Sequence, residues 1–283
     1  MGRNPFATVV FVPLILDASS FQAFEEWTAL RLTILKNNFE FVEKFNKNGK
    51  GFTVGLNHFA DLTTEKITDG YYCRRVQYSD SATSMTISDN AVAVENIDNS
   101  TCSSIDWVEY GVVTPFRMLM AACCWAFAVV TGIEGIYGTQ MGKEKMVPLS
   151  PQQLVDCDEF SNGCKGGLED YAYEGIVSEA SYPYKSNRGE CNQGILESLP
   201  VVTRINSYQP VLPREEEALA RAVCQQPVTA GIDPGSAAFV LYKGGIFTDE
   251  CGTNLTHIVT IVSIGRDEPG TEYWRIKNSW GKE

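Results

Sequence analysis

Three residues with complementary chemistry lie far apart in this chain, and a fold that uses them must bring them together. Cys124 stands in the run Cys-Cys-Trp-Ala-Phe, and His257 and Asn278 follow it roughly 130 to 150 residues downstream. A thiolate attacks carbonyl carbons, an imidazole keeps the thiol ionised and shuttles a proton, and an amide orients the ring. Together they indicate a cysteine-nucleophile enzyme, although each residue alone is more often a structural one.

Composition restricts the class of protein. The chain has 283 residues, of which 44% are hydrophobic and 20% charged, and this length suits one or two cored domains. A net charge of −12 without a basic stripe argues against a nucleic-acid partner. Nine cysteines favour an oxidising compartment, and their spacing is wrong for a zinc knuckle. We therefore expect disulfides, no metal and no other cofactor.

The N-terminus predicts entry into the secretory pathway. Residues 1–20 combine a basic start, an apolar run at 6–16 and small residues at the end, as signal peptides do. An ordinary buried element stays open as an alternative because Pro13 interrupts the run. The run is too short to span a bilayer, so no membrane association is expected. Asn99 and Asn254 lie in glycosylation sequons that a secreted protein would expose.

Hydrophobic periodicity predicts helices first and strands later. Helical patterns cover 21–48, 125–140 and 215–225, and strand-like patterns cover 52–56, 228–232, 239–247, 258–264 and 273–277. This order predicts an α+β fold of two subdomains with a cleft between them. The nucleophile would lie on the helical side and the base on the β side. Residues 77–102 have the composition of an exposed linker.

Several motifs resemble the papain-like cysteine proteases and their precursors, in a form similar to the plant members. The motifs are Cys-Cys-Trp-Ala-Phe, residues 163–167 (Gly-Cys-Lys-Gly-Gly), residues 277–281 (Lys-Asn-Ser-Trp-Gly) and, upstream, residues 55–61 (Gly-Leu-Asn-His-Phe-Ala-Asp). The resemblance implies a helical left subdomain and a β-barrel-like right subdomain, with the active-site cleft between them and a helical propeptide in front.

The same resemblance divides the chain into four parts. Residues 1–20 would be the signal peptide, 21–76 an inhibitory propeptide, 77–102 an activation linker and 103–283 a peptidase domain that ends early. In the upstream helix, Arg31, Asn38 and Asn46 match positions of the family's propeptide pattern, and the leading Glu of that pattern is missing.

The resemblance also assigns roles to residues. Cys124, His257 and Asn278 would be catalytic, and Cys123 is set aside as nucleophile because Trp-Ala-Phe directly follows Cys124. Trp280 and Ser279 would support the histidine–asparagine pair. The residues expected to contact substrate are Gly166, Gly167, Leu168, Gly231, Leu255 and Ile258, and the disulfide candidates are Cys157, Cys164, Cys191 and Cys123.

The implied function is peptide-bond hydrolysis through a thioester, in protein catabolism. Substrates would be proteins or peptides, the propeptide would inhibit its own protease domain, and cystatin-like proteins would be further inhibitors. A monomer is expected, in a lysosome, a vacuole or the extracellular space.

Two departures from the family pattern favour an alternative. The segment 116–122 lacks the Gln whose amide helps to stabilise the oxyanion, and losing one such donor costs on the order of 10²–10³ in turnover. The chain also ends at Glu283, before the family's last strands. A catalytically impaired pseudoprotease that binds peptides or proteases is the alternative, and an inhibitor acting through the propeptide is a second. An out-of-frame stretch and early termination in the underlying gene would produce the same pattern.

Overall fold

The computed structural model describes residues 18–49, 51–72, 102–115, 123–159, 161–167, 175–204, 210–211 and 215–281. Three predicted features lie outside the described residues: most of the signal region, the linker as far as residue 101, and the divergent segment 116–122.

The three predicted helices are present, and the described residues contain five further α-helices, most of them short. In chain order the α-helices are α1 (Ala18–Lys47), α2 (Thr64–Tyr71), α3 (Trp107–Tyr110), α4 (Cys124–Met141), α5 (Pro151–Cys157), α6 (Gln193–Ser198), α7 (Glu216–Gln225) and α8 (Ala237–Val240), with 3₁₀ turns at Lys143–Lys145 and Gly163–Lys165. The strands are β1 (Phe52–Val54), β2 (Ile105–Asp106), β3 (Ile176–Val177), β4 (Val201–Thr203), β5 (Val228–Ile232), β6 (Tyr242–Gly245), β7 (His257–Arg266) and β8 (Glu272–Lys277).

The longest strand, β7, organises the main sheet. It pairs antiparallel with β5 along its first half, with β8 along most of its length and with β2 near its end. Helix α4 packs against β7, and Ile258 joins the buried residues at the start of α4 in one core cluster. Because α4 is apolar almost all round, it is buried rather than amphipathic. This segregation of helices and sheet confirms the predicted α+β class.

The N-terminal segment docks on the later part of the chain by adding a strand. Strand β1 pairs antiparallel with β6, and the Gly55 amide donates to the Leu241 carbonyl at 2.7 Å. Behind this pair, aromatic and aliphatic side chains form a shared core: Phe45, Phe52, Val54, Ala60, Ala238 and Leu241. The upstream segment is therefore held by backbone hydrogen bonds and by buried apolar area.

The two upstream sequence motifs contact each other. Arg31 on α1 forms an ion pair with Asp61, and the Asn38 amide donates to the Ala60 carbonyl at 2.8 Å. Asn46 exchanges two hydrogen bonds with the backbone of Val54, at 2.9 and 3.0 Å. Polar residues of α1 thus hold the following loop and strand in place.

One strand prediction was partly wrong. The segment 239–247 begins inside helix α8, and only residues 242–245 form a strand. Ala238 and Leu241 are both buried, and their three-residue spacing puts them on one side of a helical turn facing the upstream segment. A short apolar run is compatible with either a strand or a buried helix, so periodicity alone cannot separate them.

Three disulfides join described residues. They link Cys102 to Cys224, Cys123 to Cys164 and Cys157 to Cys191. The four predicted cysteines form the second and third of these bonds, whereas the first was not predicted. Across the described part of the chain, no helix has the length and apolar character needed to cross a bilayer.

Candidate active site

His257 is the first residue of β7, and its side chain is 0% exposed. Asn278 directly follows the last residue of β8, and the pairing of Thr260 with Lys277 brings the two strand ends together. The ring nitrogen Nε2 of His257 lies 2.8 Å from Oδ1 of Asn278. That oxygen also accepts a hydrogen bond from the Ser279 backbone amide at 2.7 Å, which fixes the orientation of the Asn278 amide.

This hydrogen bond determines which ring nitrogen carries the proton. An amide oxygen only accepts, so Nε2 of the neutral ring must carry the hydrogen and Nδ1 must hold the lone pair. Among the described residues, Nδ1 is buried and has no hydrogen-bond partner. The ring is therefore set up to accept a proton at Nδ1.

Burial keeps the His257 ring neutral. Desolvation lowers its pKa from 6.5 to about 4, and the hydrogen bond to Asn278 opposes this only in part. Two aromatic rings enclose it: Trp280 stacks on it with centroids 4.9 Å apart, and the Tyr72 ring lies 6.2 Å away. Because no water reaches this imidazole, its charged form is disfavoured.

Cys124 is the first residue of α4 and is fully buried. A helix N-terminus carries positive partial charge, which favours a thiolate over a thiol. Cys124 and Ile258 belong to the same core cluster, so the start of α4 packs near the residue that follows His257. The Cys124 sulfur is not a thiol in this structure, because it takes part in a disulfide bond.

The predicted glycine-rich substrate edge lies beside the start of α4. The Trp125 indole N–H donates to the Gly163 carbonyl at 2.9 Å, and the disulfide between Cys123 and Cys164 holds the same loop. A Cβ at Gly167 would lie 2.5 Å from the Trp125 ring, so only glycine fits there. Gly166 adopts a φ of 124°, which L side chains rarely take.

The other predicted substrate residues are distributed as follows. Gly231 pairs with Ile258 across β5 and β7, and Ile258 is 1% exposed inside the core. Leu255 is half-buried, just ahead of β7. Leu168 lies outside the described residues, as does Asn99, while Asn254 is exposed.

Sequence reasoning named Trp280 but missed the aromatic residues that the upstream segment adds to the cover over the site. Trp280 contacts Phe59 with ring centroids 5.0 Å apart and Tyr72 with centroids 6.2 Å apart, and both partners come from the upstream segment. The Tyr72 hydroxyl donates to the Pro234 carbonyl at 2.9 Å. Burial, aided by the charge of Asp233, raises the pKa of Tyr72 to about 12. No motif in the sequence singles out Tyr72, because its role depends on where α2 ends.

Two family models match this chain. Residues 101–283 match the papain family cysteine proteases, and residues 23–67 match the cathepsin propeptide inhibitor domain. The senescence-specific cysteine protease SAG12 of Arabidopsis thaliana is 40% identical over 264 residues, which cover 89% of this chain and 74% of that protein. The thiol protease SEN102 of Hemerocallis sp. is 38% identical, over 89% of this chain and 71% of that protein.

Solved precursor structures share the fold. The proform of the ragweed pollen allergen Amb a 11, a cysteine protease, superposes with a TM-score of 0.78 at 31% identity, over 94% of this chain and 78% of the allergen. A recombinant stem bromelain precursor gives a TM-score of 0.75 at 33% identity, over 92% of this chain and 87% of that precursor. This chain belongs to the papain family of cysteine proteases, as a zymogen whose N-terminal segment is the family's inhibitory propeptide domain.

Proposed function

We propose that Cys124, His257 and Asn278 carry out peptide-bond hydrolysis in this protease. The Cys124 thiolate attacks the scissile carbonyl carbon, and His257, protonated at Nδ1 by the thiol, passes that proton to the leaving amine. The C–N bond breaks and a thioester remains on Cys124. Water, deprotonated by His257, then cleaves the thioester and releases the carboxylic acid and the thiol.

The hydrogen bond between His257 and Asn278 is the observation that carries this assignment. It leaves Nδ1 as the proton-accepting atom, at the end of a strand that packs against the helix starting with Cys124. Asn278 acts as a positioning residue, because it holds the ring tautomer without contacting the reacting carbonyl. Trp280 keeps water away from this hydrogen bond by stacking on the imidazole.

Oxyanion stabilisation would rest on the start of α4. The first backbone N–H groups of a helix have no acceptor within the helix, and the Cys124 amide is one of them. The sequence lacks the usual Gln in 116–122. We therefore expect a kcat lower by a factor on the order of 10²–10³ than in an enzyme with both oxyanion donors. The relatives are named as cysteine proteases, and they give no support to a binding protein without activity.

Substrates would be extended polypeptides. The Gly166–Gly167 backbone can approach a peptide closely and pair with it as an added strand. Gly231, Leu255 and Ile258 would favour an apolar side chain two residues before the cleaved bond. The three disulfides suit an oxidising compartment, so we place the enzyme in the secretory pathway, in a vacuole or lysosome or outside the cell, with cystatin-like proteins as candidate inhibitors.

The test compares the processed wild-type enzyme with Cys124→Ala, His257→Ala and Cys251→Ala under reducing, mildly acidic conditions. Hydrolysis of a fluorogenic peptide with an apolar residue at the second position before the cleaved bond should be lost in the first two variants. It should be retained in Cys251→Ala, which removes an exposed cysteine.

A thiol-directed epoxide should label the wild type at Cys124 alone. If the reduced, propeptide-free protein neither hydrolyses the peptide nor reacts at Cys124, the binding-protein alternative replaces the enzyme.

A further inference from the structure

The surface under strand β1 carries an inference about the processed enzyme, one that rests on the proposed function. Strand β6 is paired along one edge by β1 of the upstream segment. The Gly55 amide extends this pairing by donating to the Leu241 carbonyl at 2.7 Å. The Asn57 side-chain amide donates to the Val240 carbonyl, also at 2.7 Å. Removal of the upstream segment would leave this strand edge and these carbonyls open.

An apolar patch lies beside the same edge, and we call it the β6 patch. Its members come from the later part of the chain and are Ala238, Leu241, Tyr242 and Phe247. The Phe52 ring covers two of them, with centroids 4.9 Å from Phe247 and 6.4 Å from Tyr242. Without this cover the patch would face water, and exposed contiguous apolar side chains mark interaction sites.

The side chains that occupy the β6 patch alternate along β1. Phe52 and Val54 are 3% and 1% exposed, whereas Thr53 between them faces solvent. Successive residues of a strand point to opposite faces, so the patch contacts every second residue of its occupant. The occupant needs an extended backbone, an aromatic side chain and an aliphatic side chain two residues later.

Gly245 at the end of β6 permits the close approach of the seated backbone. It has a φ of 100°, and a Cβ there would lie 2.7 Å from the Phe52 Cα. Gly244 has more space, since a Cβ there would meet nothing closer than the Thr53 hydroxyl at 3.9 Å. Backbone pairing of this kind accepts any extended polypeptide, and the side-chain positions add selectivity.

The β6 patch is continuous with the candidate active site. Phe247 contacts Phe239 with ring centroids 5.6 Å apart, and Phe239 contacts Trp280 at 5.7 Å. Trp280 in turn stacks on the His257 ring at 4.9 Å. A flexible linker of about ten residues spans roughly 17 Å, so one polypeptide can reach both places.

We propose that the β6 patch is an exosite of the processed protease, which binds an extended segment of a protein substrate while a second segment lies in the cleft. The bound segment pairs with β6 as an added strand. It places an aromatic side chain against Tyr242 and Phe247 and an aliphatic one where Val54 lies. Holding one segment raises the effective concentration of the other at the cleft, which favours unfolded proteins over short peptides.

The first test measures binding without hydrolysis. The Cys124→Ala precursor is cut in the 77–102 linker by an added serine protease, and the upstream segment is separated. A labelled peptide with the sequence of residues 51–57 is then titrated in by fluorescence anisotropy. Phe52→Ala or Val54→Ala in the peptide should weaken binding at least about 10-fold, whereas the matched Thr53→Ala should change it less than about 3-fold.

A matched pair of protein variants tests the same contact from the other side. Gly245→Ala should abolish peptide binding, and Gly244→Ala should retain it. Circular dichroism checks that both are folded. If Gly245→Ala does not fold, the peptide series decides, because it leaves the protein unchanged.

The second test asks whether the exosite acts in hydrolysis. The processed wild type is given a fluorogenic peptide extended on either side, through a flexible linker of about ten residues, by Phe-Thr-Val or by Ala-Thr-Ala. On one of the two sides, KM should be at least about 10-fold lower with Phe-Thr-Val.

Two results would overturn the exosite: equal KM values for the two extensions on both sides, or equal affinities of the peptide and its Phe52→Ala form. Selective binding of the peptide by a protein whose wild type hydrolyses neither substrate would instead refute the proposed function. The β6 patch would then be a peptide-binding surface without catalysis.

Discussion

Acid should lower the folding stability of the precursor through one buried residue, His257. Its pKa is 6.5 when the chain is unfolded and about 4 in the precursor, because burial disfavours the charged ring. The unfolded chain therefore binds a proton between these two values while the folded precursor does not. The neutral His257 ring therefore contributes to the free energy of unfolding in full above pH 6.5, and this contribution is lost as the pH falls towards 4.

The size of the effect follows from the two pKa values. One pKa unit corresponds to about 1.4 kcal/mol, so the loss between pH 7 and pH 5 is about 2 kcal/mol, and it approaches about 3 kcal/mol near pH 4. Residues of the upstream segment, Tyr72 among them, cover the ring. Opening of the propeptide would let the ring charge, so acid should favour the open form in the same way.

Urea unfolding of the full chain at pH 7 and pH 5 measures this term directly. Between pH 7 and pH 5, the free energy of unfolding of the wild type should fall by about 2 kcal/mol more than that of His257→Gln, because glutamine does not titrate. The other histidine of the chain provides the matched control, since His58→Gln retains His257 and with it the part of the loss in unfolding free energy that His257 causes. If the free energy of unfolding falls by the same amount between pH 7 and pH 5 in the wild type and in His257→Gln, this imidazole does not cause the acid destabilisation.

Three further substitutions test the site and its cover. Asn278→Ala removes the acceptor for the His257 ring and should lower kcat by roughly 10- to 100-fold with little change in KM, as the loss of one hydrogen bond to a buried group predicts. Gly167→Ala forces a Cβ into the Trp125 ring and should destabilise the protein by about 1–3 kcal/mol in thermal unfolding. Tyr72→Ala removes the aromatic ring that the upstream segment places beside His257 and should speed processing at acidic pH in a gel assay.

Each of these substitutions has a control in the same chain. Asn278→Asp retains an acceptor and should recover part of the lost kcat. Gly194→Ala meets nothing closer than 3.7 Å and should leave the unfolding temperature almost unchanged. Tyr72→Phe removes only the hydroxyl that donates to Pro234, so it should process at nearly the wild-type rate. Identical behaviour of a substitution and its control would contradict the role assigned to that side chain.

Local sequence was sufficient for much of the fold. The helix at 125–140 and the strand at 228–232 were predicted at or near their observed bounds, because the first is an apolar run long enough for a buried helix and the second is a short run of strand length with Val and Ile at its ends. The segment 239–247 was predicted wholly as a strand, but its first residues are helical. Tertiary packing accounts for this, because Ala238 and Leu241 pack together on the propeptide. The bond between Cys102 and Cys224 was missed since cysteine spacing alone does not give connectivity.

The state of the proposed catalytic residues could not be inferred from their identities alone. A sequence can indicate that a thiol, an imidazole and an amide belong together, but it does not show whether the ring is solvated or the sulfur is oxidised. Here the imidazole is neutral because aromatic residues of two segments enclose it, and the sulfur is bonded. The neutral state of the ring depends on where the propeptide lies. These features describe a resting precursor in which the ring is kept neutral by its aromatic cover, so protonation of His257 should accompany displacement of that cover.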